Sequence, residues 1–279
     1  MGAAQIIDLD FENAAAHFEV SATTDLGRTR RVNEDSFVAA PPVFVVADGM
    51  GGHSHGDRAS QAVASVFQVL GAEPTLPSVA TVLAAVRAAD AIVQGIGGDA
   101  IAGTTLAGIA LTSDPETGAV RWMAFNIGDS RVYRWLDSAL IQLSVDHSAV
   151  QELVDQGVIA ADSAMRHPER NVITRAIGVG IDSEPDVWLL PADGEETFLI
   201  CSDGLTKELD DGAISLVLAH GATADGSVAD RLIEAALAAG GADNVTAIVI
   251  TARVILGTSG GGTATTGLPP HLEETLPRI

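Results

Sequence analysis

The chain holds one cysteine, Cys201, and one lysine, Lys207, among 279 residues, and only 4% of its residues are aromatic. A single thiol can build neither an internal disulfide nor a thiolate metal cluster, which points to a reducing, cytoplasmic setting. The lysine follows Thr206, whereas a phosphate-cradling P-loop needs Gly-Lys-Ser or Gly-Lys-Thr, so that class is excluded. Basic charge is scarce altogether, with 15 Lys and Arg against 37 Asp and Glu and a net charge of −22. A polyanion gripped through its phosphates needs the opposite balance, so neither nucleic acid nor an anionic membrane is expected as a partner. No apolar run approaches the roughly 18 residues of a membrane helix, and residues 1–10 carry acids where a signal peptide carries Lys or Arg. The glycine-rich stretch 95–103 lacks the G-x-G-x-x-G spacing of a dinucleotide site.

What is present is a soluble-type composition, 47% apolar and rich in Ala, Gly and Val, so the core is built from small aliphatic side chains. Residues 1–15 read as a polar lead-in, strand or coil. Asp8, Asp10 and Glu12 mimic part of a calcium loop, but Asn13 stands where that loop requires Gly. Short β-type runs follow at 18–24, 43–47, 104–112, 120–126, 131–136, 197–201 and 245–251. Ala-rich segments with helical spacing lie at 57–70, 78–94, 148–156, 210–219 and 225–239. Two long helices in succession, then strands joined by short turns, argue against a βαβ alternation and for an α+β chain with antiparallel sheets covered by helices. Beyond residue 256 the sequence turns to Gly, Thr and Ser and then to Pro and acids, a disordered tail over 256–279 that cannot bury enough apolar surface to fold.

Five segments place an Asp at or just past the end of an apolar run: Asn33-Glu34-Asp35, Val46-Ala47-Asp48-Gly49, Ile127-Gly128-Asp129, Cys201-Ser202-Asp203-Gly204 and Ala242-Asp243-Asn244. Any one of them, taken alone, is an ordinary turn, since Asp beside Gly bonds its own backbone and tolerates left-handed φ. Together they pose an electrostatic problem. Asp48 and Asp203 each end a strongly apolar run, where an unpaired carboxylate bears a heavy desolvation penalty. Hard divalent cations are the natural remedy, and the all-oxygen donor set suits Mg²⁺, Mn²⁺ or Ca²⁺ rather than Zn²⁺.

The ordered blocks are recognisable. Asp25 and Gly27 lead to Arg28 and on to Asn33-Glu34-Asp35; then come Ala47-Asp48-Gly49-Met50-Gly51-Gly52-His53, Gly103-Thr104-Thr105, Gly128-Asp129-Ser130-Arg131, Asp146-His147-Ser148, Ile173-Thr174-Arg175, Cys201-Ser202-Asp203-Gly204-Leu205 and Asp243-Asn244. Over residues 17–253 the chain resembles the metal-dependent Ser/Thr protein phosphatases of type 2C, in their compact bacterial form. The resemblance implies a four-layer αββα sandwich, two antiparallel sheets flanked by helix pairs, with a catalytic domain over 16–255 and a mobile flap at about 146–178. It implies that Asp48 bridges two Mn²⁺ or Mg²⁺ ions, that Asp203 and Asp243 bind the first and the Gly49 carbonyl the second, and that Glu34 and Asp35 hold water on them. Asp129 would help bind a third ion, as in bacterial members, and Arg28 would grip the substrate phosphate. Two ions about 3.5–4 Å apart acidify a water and stabilise an in-line displacement at phosphorus. The implied substrates are phosphoserine and phosphothreonine in proteins, the implied partners a Ser/Thr kinase and its substrates, and the implied state a monomer.

The resemblance breaks at Met50, where eukaryotic members place a His as proposed proton donor. His53, three residues on, is a candidate for that role, and a structural His in a Gly-rich turn is the alternative. His147 and His167 fall in or near the flap, where they would select substrate. Two rivals remain. A cysteine-dependent phosphatase using Cys201 would need Arg six residues later, and position 207 is Lys207. A pseudophosphatase would keep the fold and bind phosphorylated segments without turnover.

Overall fold

Residues 43–47 are apolar without interruption because both faces of their strand are covered. Phe44 and Val46 point into one core, and Val43, Val45 and Ala47 into another. In the computed structural model, which describes residues 4–51, 55–96, 102–164, 166–180, 183–223 and 226–257, this strand is β4 (Val43–Met50). It lies within an antiparallel sheet ordered β10 (Asp186–Pro191), β7 (Val120–Ile127), β6 (Leu106–Ser113), β4 and β3 (Asp35–Ala40), and the short β5 (Gly103–Thr104) pairs with the end of β4. A second antiparallel sheet runs β1 (Gln5–Asp10), β2 (Ala14–Asp25), β12 (Val245–Leu256), β11 (Gly194–Cys201), β8 (Arg131–Leu136) and β9 (Ala139–Gln142).

The alternation of side chains sorts the apolar residues into three cores, and three cores between packed elements make four layers. Phe18, Phe44, Ile109, Trp122, Phe198, Ile248 and Ile250 fill the space between the sheets, with the Trp122 ring edge-on to Phe198 at 5.1 Å. Val63, Phe67, Val82 and Val86 of α1 (Gly56–Gly71) and α2 (Val79–Gln94) cover the outer face of the first sheet. Ile214, Leu218, Leu232 and Ile233 of α6 (Asp211–His220) and α7 (Val228–Ala239) cover the other, over Leu199, Cys201 and Val249. The helices begin where the sequence supplies caps: Ser78 Oγ accepts the Thr81 N–H, Asp210 accepts that of Ala213, and Ser227 with Asp230 forms a capping box.

The αββα sandwich is therefore present, with differences at its margins. The lead-in is part of a sheet, because Gln5–Asp10 pairs with residues 15–20 of β2. β3, β9 and β10 are strands that the sequence reading did not pick out. The 146–178 segment carries α3 (Ala149–Asp155) and α4 (Ala161–Ala164) and is tied at both ends. At its start the His147 N–H donates to the Gly128 carbonyl at 2.9 Å, a Ser148–Ile173 bridge closes the segment on itself, and at its end Ile177 bridges to Thr104. The Gly178 N–H also donates to Asp90 Oδ1 of α2 at 2.8 Å. β12 runs to Leu256, and residues 258–279, which hold nearly all of the expected tail, lie outside the described residues.

Candidate metal centre

Asp48 stands opposite Asp35 in the β3–β4 ladder. Its backbone is clamped on both sides: its N–H donates to Thr105 Oγ1 at 3.0 Å, and its carbonyl accepts from the Thr105 N–H and from Thr104 Oγ1, each at 2.9 Å. Thr105 Oγ1 in turn shares a 2.7 Å hydrogen bond with Ser130 Oγ, which links Asp48 to the turn that holds Asp129. Asp35 Oδ2 accepts from Ser202 Oγ at 2.8 Å, just past the end of β11, and from Thr246 Oγ1 of β12 at 2.7 Å. The adjoining Gly49 has no room for a side chain, since a Cβ there would lie 2.1 Å from the Gly56 carbonyl oxygen. Its N–H donates to the Glu34 carbonyl at 3.1 Å, and the Glu34 carboxylate accepts the N–H of Asp57 in the first turn of α1.

The second sheet and its loops supply the remaining acids. Asp203 opens α5 (Asp203–Thr206) and pairs through Oδ2 with the ammonium of Lys207. Asp243 receives both arms of Arg30, Nε on Oδ1 and Nη2 on Oδ2, each at 2.8 Å. Asn244 fastens the loop that carries Arg30 and Glu34: its Oδ1 accepts the Glu34 N–H at 2.9 Å, and its Nδ2 donates to the carbonyls of Leu26 at 2.9 Å and Val32 at 3.0 Å. Gly27, at φ +77°, comes so close to the Asp243 carbonyl that a Cβ would sit 2.1 Å from its oxygen. Asp129 lies in the turn after β7 and is 6% exposed.

The electrostatics are those of crowded anions. Burial, reinforced by Asp35, Asp203, Asp129 and Asp243, pushes the Asp48 carboxyl well above the usual range. Burial chiefly raises Asp35 to about 6 and Asp129 to about 7, with Asp203 adding to both. Burial likewise raises Glu34. Among the described residues six carboxylates, Glu34, Asp35, Asp48, Asp129, Asp203 and Asp243, thus share two cations, Arg30 and Lys207. Asp146 also raises Asp129, although the Arg131 fork pairs with it at 2.8 and 2.7 Å. Among the described residues no three His, Cys, Asp or Glu side chains close around one point, yet the donor set fits a hard divalent ion. Asp35 Oδ1, Asp129 Oδ1 and Asp203 Oδ1 are buried with no hydrogen-bond partner, and all-oxygen donors suit Mn²⁺ or Mg²⁺.

Asp35, Asp48, Asp129, Asp203 and Asp243 therefore come together as the sequence suggested, with Glu34 and Gly49 at their edge. Arg28 does not join them. It is exposed, with its N–H on the Gly241 carbonyl at 2.7 Å, and the guanidinium among the acids belongs to Arg30. The Asp-x-Gly-x-x-Arg spacing, counted from Asp25, does arrive at residue 30. His53 lies outside the described residues. His147 is buried rather than offered to substrate: Nδ1 accepts the Gly128 N–H at 3.0 Å, so the ring proton is on Nε2, 3.2 Å from Asp186 Oδ2. Cys201 faces α5 to α7, and burial pushes its thiol up to about 12, which removes it as a nucleophile. Arg30, Lys207 and Asn244 are the participants that the sequence reading missed.

Comparison with known proteins agrees with this geometry. The profile of the family described as protein phosphatase 2C matches residues 28–223. The serine/threonine protein phosphatase PstP of Mycobacterium tuberculosis is 38% identical over 240 residues, which are 82% of this chain but 44% of PstP, so the chain spans less than half of that relative's length. The serine/threonine phosphatase stp of Listeria innocua is 32% identical over 247 residues, 81% of this chain and 93% of stp. The solved catalytic domain of PstP in complex with two manganese ions superposes with a TM-score of 0.73 at 35% identity, covering 86% of this chain and 99% of that one. The PPM Ser-Thr phosphatase MsPP of Mycobacterium smegmatis, in complex with cacodylate, gives a TM-score of 0.73 at 34% identity over 83% of this chain and 97% of that one.

Proposed function

The chain belongs to the protein phosphatase 2C family, and from that premise we propose that it is a metal-dependent phosphatase of phosphoserine and phosphothreonine in proteins. The observation that carries the proposal is the set of buried carboxylates at the strand ends, three of them with an oxygen that nothing satisfies. Asp48 would lie between two Mn²⁺ or Mg²⁺ ions, with Asp203, Asp243 and the Gly49 carbonyl as further ligands and Asp129 as an outer one. When bound, the ions supply a water nucleophile at neutral pH and neutralise charge on the phosphoryl group.

The chain's own residues do the rest. Asp35, pinned by Ser202 and Thr246, and Glu34, pinned to α1, orient water through fixed carboxylates. Arg30, held from behind by Asp243, presents a fork that matches two phosphate oxygens, a geometry an ammonium lacks. His53 stands as a candidate proton donor to the leaving oxygen. We assign catalysis to residues 16–255, with 146–178 as the flap. The partners we infer are phosphoproteins and the Ser/Thr kinase that makes them, for a monomer in a reducing cytoplasm. Among the described residues no helix is long and apolar enough to cross a membrane.

The test is release of phosphate from p-nitrophenyl phosphate and from a phosphothreonine peptide. Activity should appear with Mn²⁺, vanish in EDTA and return on adding Mn²⁺. A folded, Mn²⁺-loaded chain that binds the phosphopeptide and releases nothing would instead be a binding module.

A further inference from the structure

The chain's single lysine stands on the carboxylate cluster. Lys207 continues the helical turn of α5, its N–H donating to the Asp203 carbonyl at 2.8 Å, and the i,i+4 spacing brings its ammonium onto Asp203 Oδ2 with Asp243 Oδ2 at 3.7 Å. Asp129, buried and with Oδ1 unpartnered, is the next carboxylate in reach of that charge. An ammonium and a divalent ion drawn to the same outer oxygens repel each other, and in a partly dehydrated site that repulsion is strong.

We propose that Lys207 is a built-in cation of the centre: it holds Asp203 Oδ2 and neutralises the outer Asp129 while leaving the unpartnered Asp203 Oδ1 to the core pair, so the chain takes two divalent ions and disfavours a third at the outer position. The inference rests on the metal-dependent reading above and specifies its stoichiometry. The charge balance agrees with it. Six carboxylates less Arg30 and Lys207 leave four negative charges, which two divalent ions cancel. Without Lys207 five charges would remain and two ions would fall short. A bland alternative is that the ion pair only fastens a one-turn helix to the strand behind it.

Counting bound Mn²⁺ separates the two. Native mass spectrometry and calorimetric titration would be run on the wild type, Lys207→Met and Lys207→Arg, together with melting temperatures in EDTA. The wild type and Lys207→Arg should bind two ions. Lys207→Met should take up a third, with outer-site affinity at least tenfold above the wild type's, and its metal-free melting temperature should fall and recover with Mn²⁺. If Lys207→Met does not fold in EDTA, it is counted after folding in Mn²⁺, with Lys207→Gln as a second neutral variant. Three ions in the wild type, or equal counts and affinities in all variants with only a lowered melting temperature, would overturn the proposal while leaving Mn²⁺-dependent phosphate release intact. A wild type that binds no divalent ion would sink the phosphatase reading and this inference with it.

Discussion

Asp35 and Asp48 are directly opposed across the β3–β4 ladder, two acids on one face of the sheet. Like charges so placed destabilise a sheet, and here burial multiplies the effect. The folded chain therefore favours the protonated carboxyls or a bound cation. Asp35 and Asp129 move from 3.8 to about 6 and about 7 on folding. A carboxyl with a raised folded pKa stabilises the fold below its unfolded pKa, and that stability is lost as pH climbs through the folded value. In EDTA the melting temperature should fall between pH 5 and 7.5. Asp186, which is lowered mainly by His147 and Arg175 against its burial, contributes with the opposite sign only in more acid solution. Metal binding needs deprotonated ligands, so the rise in melting temperature on adding Mn²⁺ should grow with pH over the same window. Thermal melts across that range decide it, and a flat or rising profile in EDTA would count against the crowded-carboxylate account.

Arg30 and Arg28 are two residues apart, and only one of them meets the acids. Losing a charge-assisted fork on a phosphate costs about 1.5–3 kcal/mol, roughly 10- to 150-fold in kcat/KM. Arg30→Ala should show that loss, and Arg30→Lys should recover little of it, because the fork is what matters. Arg28→Ala should stay within about twofold. Steady-state kinetics on a phosphothreonine peptide settle the assignment, and the reverse pattern would return the role to Arg28.

How much of this was legible in the sequence follows from burial. β4, β6, β7 and β12 announce themselves because strands covered on both faces are predominantly apolar. β3, β9 and β10 carry no comparable signal, and residues 5–10 fit strand or coil alike. All four lie at sheet edges, where half-exposed strands carry mixed side chains. The metal-type acids were legible for the same reason that they are unusual, since Asp48 and Asp203 follow buried apolar runs. What supports them was not. Ser202 and Thr246 reach Asp35 from 167 and 211 positions away, and no local spacing encodes such a contact. Arg30 could have been found by counting Asp-x-Gly-x-x-Arg from Asp25, and Lys207 by asking what lies one helical turn beyond Asp203.

His147 acts at one remove, as the acceptor that fixes the Gly128 N–H and with it the turn of Asp129. Asp186 orients the ring from behind, and Arg175 holds Asp186 at 2.9 Å. Removing the ring strands a buried N–H, which costs about 1–3 kcal/mol. His147→Ala should therefore melt several degrees lower and need more Mn²⁺ for half-maximal activity. His147→Gln, which can offer an oxygen to the same N–H, should recover part of both. An unchanged Mn²⁺ activation curve in a destabilised His147→Ala would make the residue structural only.

Asp48→Asn brings stability and function into opposition. In an ordinary core, replacing a hydrogen-bonded polar residue destabilises. Asp48 differs, because its backbone N–H and carbonyl are held by Thr104 and Thr105 whatever its side chain. Its carboxylate, meanwhile, faces Asp35, Asp203, Asp129 and Asp243. An amide of the same shape removes one negative charge from that group and supplies donors to the oxygens of its neighbours. In EDTA at pH 7.5 the Asp48→Asn chain should melt above the wild type, and the gap should narrow toward pH 5, where protonation already relieves the repulsion. With saturating Mn²⁺ the order should invert, since the variant lacks the carboxylate proposed to hold both ions, and turnover should drop by at least about 10³-fold. Paired melts in EDTA and Mn²⁺, with activity on p-nitrophenyl phosphate, test both halves. A variant less stable than the wild type in EDTA would show that Asp48 is held by partners that the crowding argument ignores, and one that kept its activity would remove Asp48 from the bridging position.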